Sequence, residues 1–304
     1  MRILITGGAG FIGSHLTDAL IEGGHAVAVI DNLSTGVGGN LNPQAKFYET
    51  DILNAPALEE IFVKEKPEAV FHLAAHIDLR ESFLDPAYDA QNNIVGTLNL
   101  LRRMADFKVP KIIFSSTGGA IYGEAERIPT PETYHAIPAS PYGISKLAVE
   151  YYLDVWRKLY GIEYIALRYS NVYGPRQGGK GEAGVTAIFA KKMLKGEPIE
   201  VFGDGKQTRD YVYVADVVAA NLAAWDLKGG GVFNIATGVE TSVNEIYEKI
   251  SKLLGYTASA VPAPAVKGEI SRSALDTSKA KKELGWEPRV SLDEGLSRTM
   301  EFFK

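Results

Sequence analysis

The sequence contains no cysteine, which excludes disulfides, thiolate catalysis and a cysteine-ligated zinc. Its five histidines are scattered, so no metal site is expected. An excess of positive charge is missing too. A formal net charge of -5 and a pI near 5.7 give no basic field for nucleic acid or an anionic membrane, and an anionic ligand must be held by local groups. No apolar run approaches the roughly 18 residues that cross a bilayer. Internal repeats, low-complexity stretches and Ser/Gly linkers are absent as well. Met1–Thr6 reads as a buried strand rather than a secretion signal, so a cytoplasmic protein is expected. What is present is the balance of a globular chain. Its 304 residues, 46% hydrophobic and 23% charged, can bury a large core in one large domain or two unequal ones.

Short β-branched runs alternate with longer amphipathic ones. Strands are expected at Arg2–Thr6, Ala26–Ile30, Lys46–Thr50, Ala69–His72, Lys111–Ser115 and Tyr164–Tyr169, and helices at Phe11–Glu22, Pro56–Lys64, Pro86–Asp106 and Pro141–Tyr160. This alternation predicts an α/β fold, a doubly wound parallel sheet of Rossmann type with helices on both faces. After about Asn171 glycine and proline scatter, and helices are expected at Val185–Lys195, Ala215–Trp225, Val243–Leu254 and Ser278–Leu284. This part reads as a smaller C-terminal α/β lid that binds substrate. The expected division is 1–170 and 171–304, with a soft boundary because the strand-like Val232–Ile235 can return a stretch of about 215–240 to the first domain.

The stretch TGGAGFIG puts Gly7, Gly10 and Gly13 between the first strand and the first helix, with Phe11 and Ile12 opening that helix. Such a turn lets backbone approach a pyrophosphate whose charge sits against the helix N-terminus. The second strand ends at Asp31, followed by Asn32, where a carboxylate can accept from a ribose diol and repels a 2′-phosphate. NAD is therefore expected rather than NADP. Asp51 and Ile52 at the end of the third strand, and Leu73, Ala74 and Ala75 at the end of the fourth, add to the crevice at the carboxyl ends of the strands. Asp51 is placed to accept from adenine, or is a solvated strand-end carboxylate.

The segment SPYGISK holds Tyr142 and Lys146 four apart, on one face of a helix with Ser140 as N-cap and Pro141 as first residue. A phenol near pKa 10 is too weak a base at neutral pH. An ammonium and an oxidised nicotinamide beside it favour the phenolate, so Tyr142 can take a hydroxyl proton while hydride leaves the same carbon. The preceding strand ends in Ser115, Ser116 and Thr117, whose hydroxyls either face that crevice and bond a substrate oxygen or are turn residues.

Together TGGAGFIG, HLAA, NNIVGT, SSTGGAIYGE, SPYGISK, LRYSNVYGPRQ and RDYVYV resemble the UDP-glucose 4-epimerase family over nearly the whole chain. The resemblance implies that Tyr142 is the base, that Lys146 holds the NAD ribose and tunes the tyrosine, and that Thr117 with Ser116 binds the sugar O4. It places Asn93, Ser115 and Tyr169 at the cofactor, and Asn171, Gly184, the backbone around Val185, and Arg209 at the UDP. It further implies a homodimer formed by the apolar stripes of Pro86–Asp106 and Tyr151–Tyr160, whose alternative is packing on the sheet. Substrates are expected to be UDP-glucose and UDP-galactose.

Within related nucleotide-sugar enzymes, elimination or decarboxylation needs an acidic residue after the hydroxyl pair. Here the segment is Gly118-Gly119-Ala120-Ile121, which leaves simple 4-epimerisation; Glu124 beyond it is read as a surface turn. The family's diphosphate arginine corresponds to Val266, so Lys267 or Arg272 is the candidate substitute. Ser273 falls where some members hold a bulky tyrosine, and a small residue there leaves room for N-acetylated sugars. Trp286, Phe302 and Phe303 are expected to be core or lid packing. The alternatives are a UDP-glucuronate 4-epimerase, a nucleotide-sugar reductase releasing reduced cofactor, and a catalytically silent NAD-binding regulator.

Overall fold

Aliphatic runs and amphipathic helices alternate from the first residue of the computed structural model, which describes residues 1–178, 184–265 and 270–304. The first half runs β1 (Arg2–Thr6), α1 (Phe11–Glu22), β2 (Ala26–Asp31), β3 (Lys46–Glu49), α2 (Ala55–Glu65), β4 (Ala69–His72), α3 (Leu79–Leu84), α4 (Pro86–Ala90), α5 (Gly96–Asp106), β5 (Lys111–Thr117), α6 (Gly118–Ile121), α7 (Pro141–Tyr160) and β6 (Glu163–Tyr169). The second half adds β7 (Asn171–Tyr173), α8 (Val185–Leu194), β8 (Glu200–Phe202), β9 (Thr208–Arg209), β10 (Tyr211–Tyr213), α9 (Val214–Asp226), β11 (Gly230–Ile235), β12 (Thr241–Ser242), α10 (Val243–Leu254), β13 (Val261–Ala263) and α11 (Leu292–Phe303).

Seven strands form one parallel sheet in the order β11-β6-β5-β4-β1-β2-β3. Successive side chains on a strand point to opposite faces, and β1 feeds two cores accordingly. Ile3 and Ile5 pack with Leu16 and Leu20 of α1 on one face. Leu4 packs with Phe62 of α2 and Leu100 of α5 on the other. The chain leaves β1 toward β2 and β3, then crosses back to β4 on its other side. The carboxyl ends of β1 and β4 therefore bound the crevice where open α/β sheets take ligands. A third core, with Phe189 and Met193 of α8, Ile246 and Ile250 of α10, and Leu296 and Met300 of α11, builds the smaller second unit.

Three expectations change in detail. The helix expected over Pro86–Asp106 is interrupted by a π-helical turn, Gln91–Val95; the widened turn holds Asn93, whose side chain bonds both the N–H and the C=O of residue 76. The strand near Val232 is β11, which starts at Gly230 and joins the main sheet beside β6. Trp286 is buried and Phe303 packs partly on the third core, but Phe302 is 53% exposed. Its ring meets that of Phe303 edge-on at 5.6 Å.

Candidate active site

A cleft of about 1180 Å³ opens over the carboxyl ends of the sheet strands and reaches into the second unit. Its cofactor end is made by backbone. Gly7 sits at φ +75, its N–H donates to the Ile30 carbonyl at 2.8 Å, and a Cβ there would lie 2.6 Å from the Ala74 nitrogen. A Cβ on Gly13 would lie 2.1 Å from the Gly7 carbonyl oxygen. Only glycine fits this turn. The N-cap of α1 is Gly10, which offers no side-chain acceptor to the first helical N–H groups, and those donors are left for a phosphate. The turn and helix start therefore fit a dinucleotide pyrophosphate.

Asp31 ends β2 at 8% exposure. Its Oδ2 accepts from the Ala9 N–H at 3.0 Å and its Oδ1 from the Leu33 N–H at 2.8 Å. Burial pushes its carboxyl above the usual range while the two N–H bonds pull it back. Each oxygen keeps a lone pair for a ribose diol. Asn32, Asp51, Ile52, Leu73, Ala74 and Ala75 also line the cleft. The Asn32 amide donates to Asp51 Oδ2 at 2.7 Å, and Asp51 Oδ1 accepts from the Leu53 N–H, so Asp51 is fixed at the rim and not loosely solvated. Asn93 itself is buried behind the cleft and holds residue 76, which lines it, through that residue's N–H and C=O. Tyr169 lines the cleft and exchanges hydrogen bonds with Asn221 of α9; burial pushes its phenol up.

The reacting groups come from α7 and β5. The Ser140 hydroxyl caps α7 by accepting from the Gly143 N–H at 3.1 Å, and Pro141 is the first helical residue. One turn separates Tyr142 from Lys146, and both line the cleft. The Lys146 ammonium donates to the Ser115 carbonyl at 2.9 Å and lies 5.9 Å from the centre of the Tyr142 ring. Lys146 is 3% exposed. Burial pulls its pKa down to about 8, and the carboxylates of Asp89 and Glu150 oppose that fall.

Thr117, the last residue of β5, lines the cleft beside Tyr142. Ser116 borders the same cleft, but its hydroxyl donates to Glu150 Oε1 at 2.5 Å. Strand alternation is the reason: the residue next to Thr117 projects to the opposite face of the sheet. Its proton is therefore already given away, and Thr117 is left as the hydroxyl donor to a substrate oxygen at that point.

On the nucleotide side Asn171, Gly184 and Arg209 line the cleft. The Val185 side chain packs instead on the third core, leaving its backbone at the start of α8 near the cleft. Arg272 is turned away: it makes a bidentate pair with Glu240, at 2.6 and 3.0 Å, and does not border the cleft. Ser273, half-buried two residues before the anchored Leu275, does not border it either. Neither Arg272 nor Ser273 borders the cleft, although Ile270 just before them does. Val266, Lys267, Gly268 and Glu269 lie outside the described residues.

Several residues that shape the site carry no local signal. Asp210 is fully buried and its carboxylate accepts from the N–H groups of Thr237, Gly238 and Leu275 and from the Thr237 hydroxyl. Burial raises its pKa against those bonds. Glu124, expected as a surface turn, accepts from both the N–H and the hydroxyl of Ser271 and so pins the segment after β13. Gln177 lines the cleft and joins β7 to α8 through the Val172 carbonyl and the Thr186 hydroxyl. The strap 76–83 also lines it, with Arg80 over the Phe202 ring at 5.7 Å. Its helix α3 was legible: Asp78 caps Arg80 and Glu81 in an Asp-x-x-Glu pattern.

Residues 3–236 match the model of a family described as the NAD dependent epimerase/dehydratase family. A UDP-glucose 4-epimerase of Mycolicibacterium smegmatis is 44% identical over 310 residues, covering 100% of this chain and 99% of that protein. Among solved structures, the UDP-glucose 4-epimerase of Thermotoga maritima with UDP-glucose is 53% identical, with a TM-score of 0.98 over 100% of this chain and 98% of that one. The UDP-glucose 4-epimerase of Thermus thermophilus in complex with NAD is 42% identical, with a TM-score of 0.95 over 100% and 99%.

Proposed function

The chain belongs to the NAD dependent epimerase/dehydratase family, and from that premise we propose how its cleft carries out the NAD-dependent 4-epimerisation of UDP-sugars, UDP-glucose and UDP-galactose first among them. The observation that carries this reading is the meeting of Tyr142, Lys146 and Thr117 in one cleft with the glycine turn, beside a segment, Gly118–Ile121, that holds no carboxylate.

NAD, when bound, would supply a reversible hydride acceptor for C4 of the sugar. The turn at Gly7–Gly13 and the first amides of α1 hold the pyrophosphate, and Asp31 accepts from the adenosine ribose. Tyr142 takes the proton of the C4 hydroxyl and later gives it back. Lys146 holds the nicotinamide ribose and favours the tyrosinate by its charge. Thr117 donates to the sugar O4. Asn171, Arg209 and the backbone at Gly184 and Val185 hold the UDP, whose grip survives while the sugar turns over. With no acid in Gly118–Ile121 to protonate a neighbouring carbon, the 4-keto sugar goes back to a 4-hydroxyl sugar.

Residues 1–170 with α9 and β11 form the cofactor-binding part of this proposal, and the rest of 171–304 holds the nucleotide sugar. The outward face of α7 carries exposed Ile144, Tyr151, Tyr152, Val155 and Leu159, an apolar stripe suited to a second copy across a two-fold axis, so the active form is a homodimer. The enzyme works in the cytoplasm, where both NAD and UDP-sugars are made.

Purified protein assayed on UDP-galactose, UDP-N-acetylglucosamine and UDP-glucuronate in parallel tests the reading. Conversion of UDP-galactose to UDP-glucose without net NADH is expected, with a Tyr142→Phe variant slower by about 10²–10⁴. No conversion of any of the three, or steady NADH release, would overturn it.

A further inference from the structure

Tyr142, Lys146 and Glu150 follow one another at intervals of four on α7, so the base, the ammonium and a carboxylate share one face of the helix. Glu150 lies behind the cleft at 6% exposure and does not border it. Both of its oxygens are engaged by Arg168, with Nε at 3.0 Å and Nη2 at 2.6 Å. One of them also accepts from Ser116. Ser116 and Arg168 are direct partners across the β5–β6 ladder. The remaining arm of Arg168 donates to the Tyr122 hydroxyl at 2.7 Å, and that hydroxyl donates to Asn234 of β11 at 2.9 Å. A single carboxylate thus ties α7 to the ends of β5 and β6.

A buried ion pair contributes little net stability, because desolvation of two charges offsets their attraction. Its geometry, however, is strict. The pair joins the element that carries Tyr142 and Lys146 to the residue next to Thr117. We propose that Glu150 is a positioning residue for the reaction: through Ser116 it sets Thr117 against Tyr142, and through its charge it keeps Lys146 an ammonium. This rests on the epimerase reading above. The titratable groups set against Lys146 are Asp89 from α4, His72 from β4, and Tyr142 and Glu150 from its own helix, with Arg168 of β6 paired to that Glu150. Of these only Asp89 and Glu150 are carboxylates that raise its proton affinity. Neutralising Glu150 removes one of the two and moves Lys146 deprotonation to lower pH.

The test uses NAD-loaded enzyme and measures kcat and KM for UDP-galactose from pH 6 to 10 in parent, Glu150→Gln and Ser116→Ala. The amide oxygen can still accept from Ser116 and Arg168 Nε, but the amide NH2 then faces Nη2 and the buried guanidinium loses its counter-charge, so the fold of the variant is checked by circular dichroism before its kinetics are read. Expected for Glu150→Gln is a kcat at least about tenfold lower, a KM within about twofold, and an alkaline limb displaced toward acid. Ser116→Ala is expected to lower kcat without moving the limb. Parent-like kcat in either variant, or an unmoved limb in Glu150→Gln, would overturn the proposal. Should Glu150→Gln fail to fold, the double change Glu150→Met with Arg168→Met removes both members of the pair and leaves neither charge unpaired; parent-like kcat in it would likewise overturn the proposal. An inactive parent would instead defeat the epimerase reading itself, so the two failures are distinguishable.

Discussion

The two ends of the cleft are built by different means. At the cofactor end, backbone touches backbone: Gly7 and Gly13 leave no room for a side chain between the turn and the neighbouring main chain. At the nucleotide-sugar end, side chains reach over long stretches of sequence, Asp210 to residues 237, 238 and 275, and Glu124 to Ser271. The first kind of site is rigid and specific to the shape of a pyrophosphate. The second is a set of side-chain ties between segments distant in sequence.

Four measurements would break or sharpen that contrast. The largest effect belongs to Gly7→Ala. Left-handed strain of about 1–2 kcal/mol plus a clash with main chain should weaken NAD retention at least about a hundredfold, read as the NAD content of the purified protein. Stoichiometric NAD in that variant would show the turn not to be rigid. Asp210→Asn comes next. It strips acceptors from buried N–H groups, each worth about 1–3 kcal/mol, and KM for UDP-galactose should rise about ten- to hundredfold with NAD content unchanged; loss of NAD instead would merge the two ends.

Third, His72 at the end of β4 is fully buried between Thr6 at 2.6 Å and Thr97 at 2.8 Å, and burial first, then Lys146, holds its pKa down to about 3. Its folded pKa lies below the unfolded value near 6.5, so the unfolded chain binds the extra proton between those limits. Its contribution to stability is complete above about pH 6.5 and is lost as pH falls toward 3, by roughly 1.4 kcal/mol per pH unit. Urea unfolding at pH 7 and 5 in the parent and in His72→Gln checks this: the variant should lose less on acidification, and equal losses would exclude His72 as the source. The smallest effect is expected from Arg272→Ala. Its pair with Glu240 is exposed and screened by solvent, so KM should change less than about threefold; a larger rise would place Arg272 in the substrate's surroundings.

The cofactor end was legible because its rules are local. Glycine spacing, a carboxylate at the end of β2, a Ser-Pro helix start and an i, i+4 pair each need only a short window of sequence, and Gly7, Gly10, Asp31, Tyr142 and Lys146 all border the cleft as expected. The nucleotide end was legible only in part. Asn171, Gly184 and Arg209 border the cleft, but Arg272 chose a carboxylate 32 positions away, and Ser116 gave its proton to one 34 positions away. No window of sequence prices such competing partners.

By itself, then, the sequence determined the alternation that makes a parallel sheet, the turn that only glycine can form, and the helix that carries the base. Those features follow from backbone sterics and side-chain period, which act between near neighbours. The tertiary structure alone decided which hydroxyl of the Ser116–Thr117 pair faces the cleft, which acids turn inward as anchors, and that β11 closes the sheet beside β6. Those outcomes depend on which polar group finds its partner once water is excluded, and that is settled only when distant segments meet.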